Sequence, residues 1–197
     1  MAKIYGITGG IATGKSYVAQ IIKEAGYTVY SADEIAHAVG ENTQVIKQIA
    51  NRFGTGVIIR NKLNRSKLGE IVFTDEKKLA ALNEIMAPEI RKKIMAIIDK
   101  VHQQSEKPVF MEIPLLFEQG YENEFDGSIL VDAEFEVQLQ RLMNRDQIME
   151  DFAKKKIESQ MPLSEKKDKA TYIIDNSQDD EVEELVKTLL RKLNINL

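Results

Sequence analysis

Gly9-Gly10-Ile11-Ala12-Thr13-Gly14-Lys15-Ser16 decides how this sequence is read, because it meets G-x-x-x-x-G-K-[S/T] at every fixed position. Each fixed residue type answers a physical need. Gly9 and Gly14 permit a backbone too tight for a Cβ. Such a turn directs successive N–H groups, those of Gly10, Ile11, Ala12 and Thr13 among them, around an anion. A helix opening near Lys15 adds its positive end to the same site. Lys15 can reach the outer two phosphates of a nucleoside triphosphate. The Ser16 hydroxyl suits Mg²⁺, a hard cation that prefers oxygen. The N–H groups of Ser16 and Tyr17 are expected at the inner phosphates. Average residue frequencies let the pattern arise by accident in roughly one protein per hundred of this size, so the flanks matter.

Those flanks agree with the loop. Lys3 to Thr8 is an apolar run that predicts a buried strand. Val18, Ile21, Ile22 and Ala25 then recur at helical spacing, and Gly26 supplies a stop. Tyr27 to Tyr30 predicts a second strand, with Ser31-Ala32-Asp33 at its carboxyl end. Further along, Ile46, Ile49 and Phe53 share a helical face, broken by Gly54-Thr55-Gly56. Leu79, Leu82 and Met86 mark another helix. Ile90, Ile94, Ile97 and Val101 mark a third, with Pro88 near its start. Pro108 to Ile113, Gly127 to Val131 and Tyr172 to Asp175 predict three more strands. Phe135, Leu139 and Leu142 stripe a helix, the charged segment from Arg145 to about Pro162 has a helical pattern, and Val182 to Leu193 forms an amphipathic closing helix. Alternation of strands and helices predicts an α/β fold with a mainly parallel sheet.

Composition bounds the function. The 197 residues carry a net charge of -4, with 43% hydrophobic and 29% charged residues, which suits one globular domain and not a dedicated nucleic-acid binder. The absence of cysteine removes disulfides, thiolate metal sites and cysteine nucleophiles. No apolar run approaches the ~20 residues of a membrane span, and the first residues lack a signal-peptide core, so the expected location is cytoplasmic, with no membrane partner. The sequence leaves the choice between a monomer and a weak homo-oligomer open.

A phosphate loop alone does not separate kinases, GTPases, motors and passive binders. The nearest approach to a guanine-reading N-K-x-D is Asn61-Lys62-Leu63-Asn64, which lacks the aspartate and sits too early. The size disfavours a motor. A kinase needs a carboxylate that orients the acceptor hydroxyl and cations that hold the transferring charge. Asp33 fits the first need, since strand carboxyl ends line one crevice of a parallel sheet. A helix cap is the equally weighted alternative for Asp33.

Beyond the loop itself, several blocks resemble the dephospho-CoA kinase family. They are Ile7 to Ser16, Ser31-Ala32-Asp33-Glu34-Ile35-Ala36, Phe53-Gly54, Leu63-Asn64-Arg65 with Leu68 and Val72-Phe73, and Ile113-Pro114-Leu115-Leu116-Phe117-Glu118. Gln138, Arg141, Leu142 and Arg145 follow, then Gln160-Met161-Pro162 and Ile174-Asp175-Asn176-Ser177. The resemblance covers almost the whole chain in order. It implies a three-layer P-loop NTPase fold in one domain over residues 1–197. That domain would have a helical substrate-binding insertion near 35–90 and a small helical lid near 141–165. It implies transfer of the γ-phosphate of ATP, with Mg²⁺, to the ribose 3′-hydroxyl of dephospho-CoA. Asp33 would then be the general base and Lys15 a stabiliser of the transferring group. Arg65 would hold a substrate phosphate or the transferring group, and Arg141 and Arg145 would border the lid over ATP and neutralise charge developing in the transition state. Three positions depart from the family pattern. Ser31 stands for the first Asp of D-A-D, Ala87 for the His of H-P, and Lys156 for a lid Arg.

Other candidates carry blander readings. Glu112 in the third strand is read as a water-mediated Mg²⁺ ligand or a partner of loop N–H groups. Glu118 is expected to be structural or a substrate-side polar group. His37 and His102 are expected on the surface or in packing. Lys154-Lys155-Lys156 is either a solvated helix face or a phosphate contact. Asn176 and its neighbours are the expected surroundings of the adenine. A nucleoside or nucleoside monophosphate kinase, and a nucleotide-binding regulator without catalysis, are the competing readings.

Overall fold

The computed structural model of the chain describes residues 2–72, 74–104, 107–178 and 181–195, with side chains to 193; Phe73, one of the residues of the resemblance, lies outside them. Along the chain come β1 (Ile4–Gly9), α1 (Lys15–Glu24), β2 (Thr28–Ser31), α2 (Ala32–Val39) and α3 (Thr43–Phe53). A short hairpin of β3 (Ile58–Ile59) and β4 (Lys62–Leu63) precedes α4 (Arg65–Val72) and α5 (Glu76–Gln104). Then follow β5 (Val109–Glu112), β6 (Gly127–Asp132), α6 (Phe135–Asp146), α7 (Glu150–Glu158), α8 (Leu163–Lys169), β7 (Tyr172–Asp175) and α9 (Val182–Ile195). Residues up to Ser31 together with those from Ile98 form one compact unit, and Ala32–Ile97 form the second.

The first unit is built on a five-stranded sheet in the order β2-β5-β1-β6-β7, parallel throughout. From β1 the chain goes out to β2, comes back beside β1 as β5, and then crosses to β6 and β7 on the other side. The order therefore reverses at β1, and the crevice at its carboxyl end is where open parallel sheets bind ligands. The 9–16 loop occupies that point. Tyr5 and Ile7 of β1 face Val18, Ile21 and Ile22 of α1 and Val182, Val186 and Leu190 of α9, all buried. This explains why α1 and α9 are amphipathic. Gly6, on the opposite face of β1, lies so close to Leu116 and Phe125 that a Cβ would overlap Leu116. Helix α1 ends in a Schellman turn: Gly26, at φ 89°, donates to the Lys23 carbonyl, and Tyr27 donates to that of Ile22.

The second unit has its own core of Val39, Val45, Ile49, Val57, Leu68 and Val72. Asn42 caps α3 by accepting from the N–H groups of Gln44 and Val45. Asn61, met above as part of a failed guanine reader, sits with Arg60 at the hairpin turn. Both residues have left-handed φ, 50° for Arg60 and 62° for Asn61, as a two-residue turn of this hand requires.

The strands fall within a residue or two of their expected positions. One expectation is corrected. The two helices read over Leu79–Met86 and Ile90–Val101 are a single 29-residue helix, α5, with Pro88 inside it. Proline's fixed φ is compatible with a helix, and its cost is the lost N–H bond to the carbonyl four residues earlier. Here that carbonyl belongs to Glu84, and Glu84 and Pro88 are both exposed, so water can replace the missing donor. No described helix is long and apolar enough to cross a membrane.

Candidate active site

The loop's conformation follows from its glycines and its neighbours. Gly14 precedes α1 at φ 88°, and a Cβ there would also overlap the Asn176 side-chain amide. Ala12 holds φ 59°, a left-handed conformation that costs a residue with a Cβ about 1–2 kcal/mol. Its methyl offsets part of that cost by packing, with Ile11, against Leu139, Leu142 and Ala153 of α6 and α7. At the helix start, Tyr17 and Val18 both donate to the Gly14 carbonyl, at 3.0 and 3.1 Å. The Tyr17 N–H, expected at a phosphate, is thus turned along its own helix.

Charge gathers on one side of the loop. Ala12, Gly14, Lys15, Ser16 and Tyr17 line a cleft of about 400 Å³ together with Arg141 and Arg145 of α6. Lys15 Nζ donates to the Gly10 carbonyl at 2.8 Å. Arg141 donates to the Asn176 carbonyl at 2.8 Å. Arg145 and Lys156 both reach Asp146, at 2.8 and 2.7 Å. These two hydrogen-bonding cations hold the Asp146 carboxyl down at about 2. Lys156 therefore works beside Arg145 on α6 and α7, and Lys154 pairs with Glu150 at 2.6 Å. A larger cavity of about 600 Å³ opens past Gly10, but Asp132, Glu134, Glu158 and Asp175 line it against the one cation Lys167. That sign is wrong for a polyphosphate, whereas the charge of the smaller cleft suits one.

Ser16 Oγ donates to Glu112 Oε1 at 2.8 Å. Glu112 ends β5, beside Ile7 of β1 and Ser31 of β2 in register. A hydroxyl and a carboxylate side by side at the loop are hard oxygen donors, the chemistry that a Mg²⁺ ion accompanying phosphates accepts. Among the described residues no cluster of three or more His, Asp or Glu could hold a metal without such help.

Several side chains that frame the loop were only partly foreseen. Lys166 of α8 is fully buried; its Nζ lies 2.6 Å from Glu118 Oε1 and donates to the Gly9 carbonyl at 3.2 Å. Gln160 accepts the Ile11 N–H at 2.8 Å. Asn176 donates to the Thr13 carbonyl at 2.8 Å. Gln138, also buried, donates to the Ala133 carbonyl at 3.0 Å. Gln138, Gln160, Asn176 and Glu118 stood in quoted motifs without this role, and Lys166 stood in none.

Asp33 and Arg65 belong to the second unit. Asp33 is exposed on the first turn of α2, two residues after the end of β2. Arg65 donates to the His37 carbonyl in the last turn of α2 at 2.8 Å, and both residues line a cleft of about 290 Å³ with Glu41 and Lys62. His37 lies 3.8 Å from Glu41, and His102 pairs with Asp126 at 3.0 Å, so each histidine has a carboxylate neighbour.

Known proteins resemble this chain over most of its length. The profile of the family described as dephospho-CoA kinase matches residues 3–181. A protein of Bacillus licheniformis named dephospho-CoA kinase is 44% identical over 179 residues, covering 90% of this chain and 89% of its own. One of Latilactobacillus sakei with the same name is 39% identical over 192 residues, covering 96% and 95%. The solved structure titled dephospho-CoA kinase from Campylobacter jejuni superposes with a TM-score of 0.77 at 33% identity, over 100% of both chains.

Proposed function

The chain belongs to the dephospho-CoA kinase family and is a kinase of coenzyme A biosynthesis, and on that premise we propose how its residues divide the work. ATP lies with its phosphates in the cleft of Lys15, Ser16, Arg141 and Arg145. The observation that carries this reading is the gathering of three cationic side chains and a helix N-terminus around one cavity of phosphate scale. Lys15 holds the outer phosphates. Arg141 and Arg145 neutralise the charge that spreads over the γ-phosphoryl oxygens in the transition state, for which a planar guanidinium is suited. Ser16, with Glu112 beside it, holds the Mg²⁺ that comes with ATP. Bound there, the ion would supply positive charge to offset that of the transferring phosphates.

The acceptor roles fall on the second unit. The ribose 3′-hydroxyl of dephospho-CoA attacks Pγ; its proton goes to the Asp33 carboxylate, the new O–Pγ bond forms, and the bond from Pγ to the β,γ-bridging oxygen breaks to release ADP. Arg65 holds an acceptor phosphate. Its cleft, with Lys62 on the wall, has the charge for that role. The segment near 141–165 acts as a lid that excludes water, the competing acceptor. The reaction is placed in the cytoplasm, where ATP is supplied.

The test is phosphoryl transfer from ATP and Mg²⁺ to dephospho-CoA, with AMP, cytidine and adenosine as rival acceptors and Asp33→Asn assayed alongside. Selective formation of CoA that Asp33→Asn abolishes, with ATP binding intact, is the expected result. Transfer to a rival acceptor alone would move the protein to another substrate. ATP binding without any transfer would make it a regulator.

A further inference from the structure

Asn176 follows the last residue of β7 and is 2% exposed. Three of its polar groups are spent, and the fourth, the side-chain Oδ1, is buried without a hydrogen-bond partner. The backbone N–H donates to the Asp132 carbonyl at 2.9 Å, which ties the residue to the end of β6. The side-chain amide donates to the Thr13 carbonyl at 2.8 Å. The backbone carbonyl accepts from Arg141 at 2.8 Å. The 9–16 loop and the arginine that faces it across the cleft therefore hang on one buried residue at a strand end.

The contact with Thr13 has a consequence for its neighbour. In a trans peptide the carbonyl of one residue and the N–H of the next point in opposite directions in one plane. Turning the Thr13 carbonyl toward Asn176 turns the Gly14 N–H away from it. Gly14 lines the cleft that Lys15 and Arg141 share. The closeness is such that any Cβ on Gly14 would overlap the Asn176 amide. Earlier in the loop a peptide is fixed in the opposite sense. The Ile11 N–H is held by Gln160, and the Gly10 carbonyl on the other edge of that peptide accepts from Lys15. Lys166 holds the Gly9 carbonyl.

We infer that Asn176 is a positioning residue for phosphoryl transfer, which aims the Gly14 N–H into the phosphate cleft through its side-chain amide and sets Arg141 at the rim through its backbone carbonyl. The inference rests on the reading of residues 9–16 as the ATP phosphate loop. A preoriented N–H and a preoriented guanidinium need no reorganisation when charge develops on the phosphates, which is how fixed dipoles accelerate such steps. The Asn176 side chain itself touches no substrate in this account.

Two variants and one variant-free measurement test it. Asn176→Asp keeps the shape but sets a carboxylate oxygen against the Thr13 carbonyl, and Asn176→Ala removes the donor without adding charge. Both keep the backbone bonds. Loss of a single oriented donor is worth on the order of 10²-fold in kcat, so Asn176→Asp is expected to lower kcat by that factor and to raise the KM for ATP. Asn176→Ala should do the same less severely. A role in folding alone would lower the active fraction and leave the KM for ATP unchanged. In the unaltered protein, the Gly14 amide resonance should move downfield when ADP binds, and in a folded Asn176→Asp protein that movement should be lost. A folded variant with kcat and KM within twofold of the parent overturns the inference. So does a Gly14 amide that ignores ADP, and this reading remains available if neither variant folds. The nucleotide readouts do not depend on the acceptor, so a protein that shows them but makes no CoA refutes the substrate assignment and not the role of Asn176.

Discussion

Replacing Lys166 with methionine tests the least expected feature of the site. The ammonium is wholly buried, 2.6 Å from Glu118 Oε1 and 3.2 Å from the Gly9 carbonyl. Glu118 depends on it: its side chain is 19% exposed, Oε1 meets the ammonium without the alignment of a hydrogen bond, and Oε2 is buried with no hydrogen-bond partner. Methionine fills the space of the lysine stem but strands the carboxylate. Removing one member of a buried pair costs about 3–5 kcal/mol. Both Glu118 carboxylate oxygens are buried, so a loss of at least about 3 kcal/mol is expected. For a chain of this size, about 2–4 °C of melting temperature is lost per kcal/mol, which gives a fall of at least about 6–12 °C. Thermal melts followed by circular dichroism, with urea titration at 25 °C, measure it. The double variant Lys166→Met with Glu118→Leu removes both charges. It should recover all but about 1 kcal/mol, the share of the Gly9 carbonyl's lost donor. A single variant that melts within about 2 °C of the parent, about 0.5–1 kcal/mol, would refute the reasoning. A double variant no more stable than the single would refute it equally.

Three further outcomes follow from the geometry. Glu112→Gln keeps an oxygen near Ser16 but removes a charge from the proposed Mg²⁺ position, so the Mg²⁺ concentration for half-maximal transfer should rise about tenfold or more; an unchanged Mg²⁺ dependence would exclude Glu112 from that role. Gly14→Ala adds a left-handed strain of about 1–2 kcal/mol and an overlap with Asn176, so ATP affinity measured by calorimetry should fall at least tenfold, and wild-type affinity would show that the loop tolerates a Cβ there. The Asp146 carboxyl, held at about 2 by Arg145 and Lys156, has a folded value below its unfolded one. Its contribution to stability is therefore present above about pH 4 and fades as the pH falls through about 2. A ¹³C titration of that carboxyl should show no step near pH 4, and a step there would mean that the two cations do not hold it in solution.

The sequence spoke clearly where a local pattern has a single physical reading. The strands of the sheet were short apolar runs with nowhere to go but a core. Lys15 and Ser16 came from spacing alone, and Arg141 and Arg145 from a resemblance whose helical spacing, one turn apart on α6, already set them on one face. What stayed hidden depends on what stands opposite in space. Pro88 reads as a boundary in any local window, because only the exposure of Glu84 and Pro88 decides whether a helix can carry it. Lys166 lies within Glu165-Lys166-Lys167-Asp168-Lys169, a run that any local reading assigns to water. Yet Lys166 is buried and Lys167 is exposed. Only the approach of Glu118, 48 positions earlier in the chain, makes a buried lysine tolerable. Asn176 is the intermediate case. Its motif marked it, but its work on Thr13, 163 positions away, could be seen only once the ends of β1, β6 and β7 were brought to one edge of the sheet. The residues expected to touch phosphate were thus legible as chemistry, whereas those that aim the phosphate-binding groups were legible only as structure. Without Asn176 the Thr13–Gly14 peptide would be free to turn its carbonyl toward the cleft, and that would present the wrong sign of dipole to the same anion.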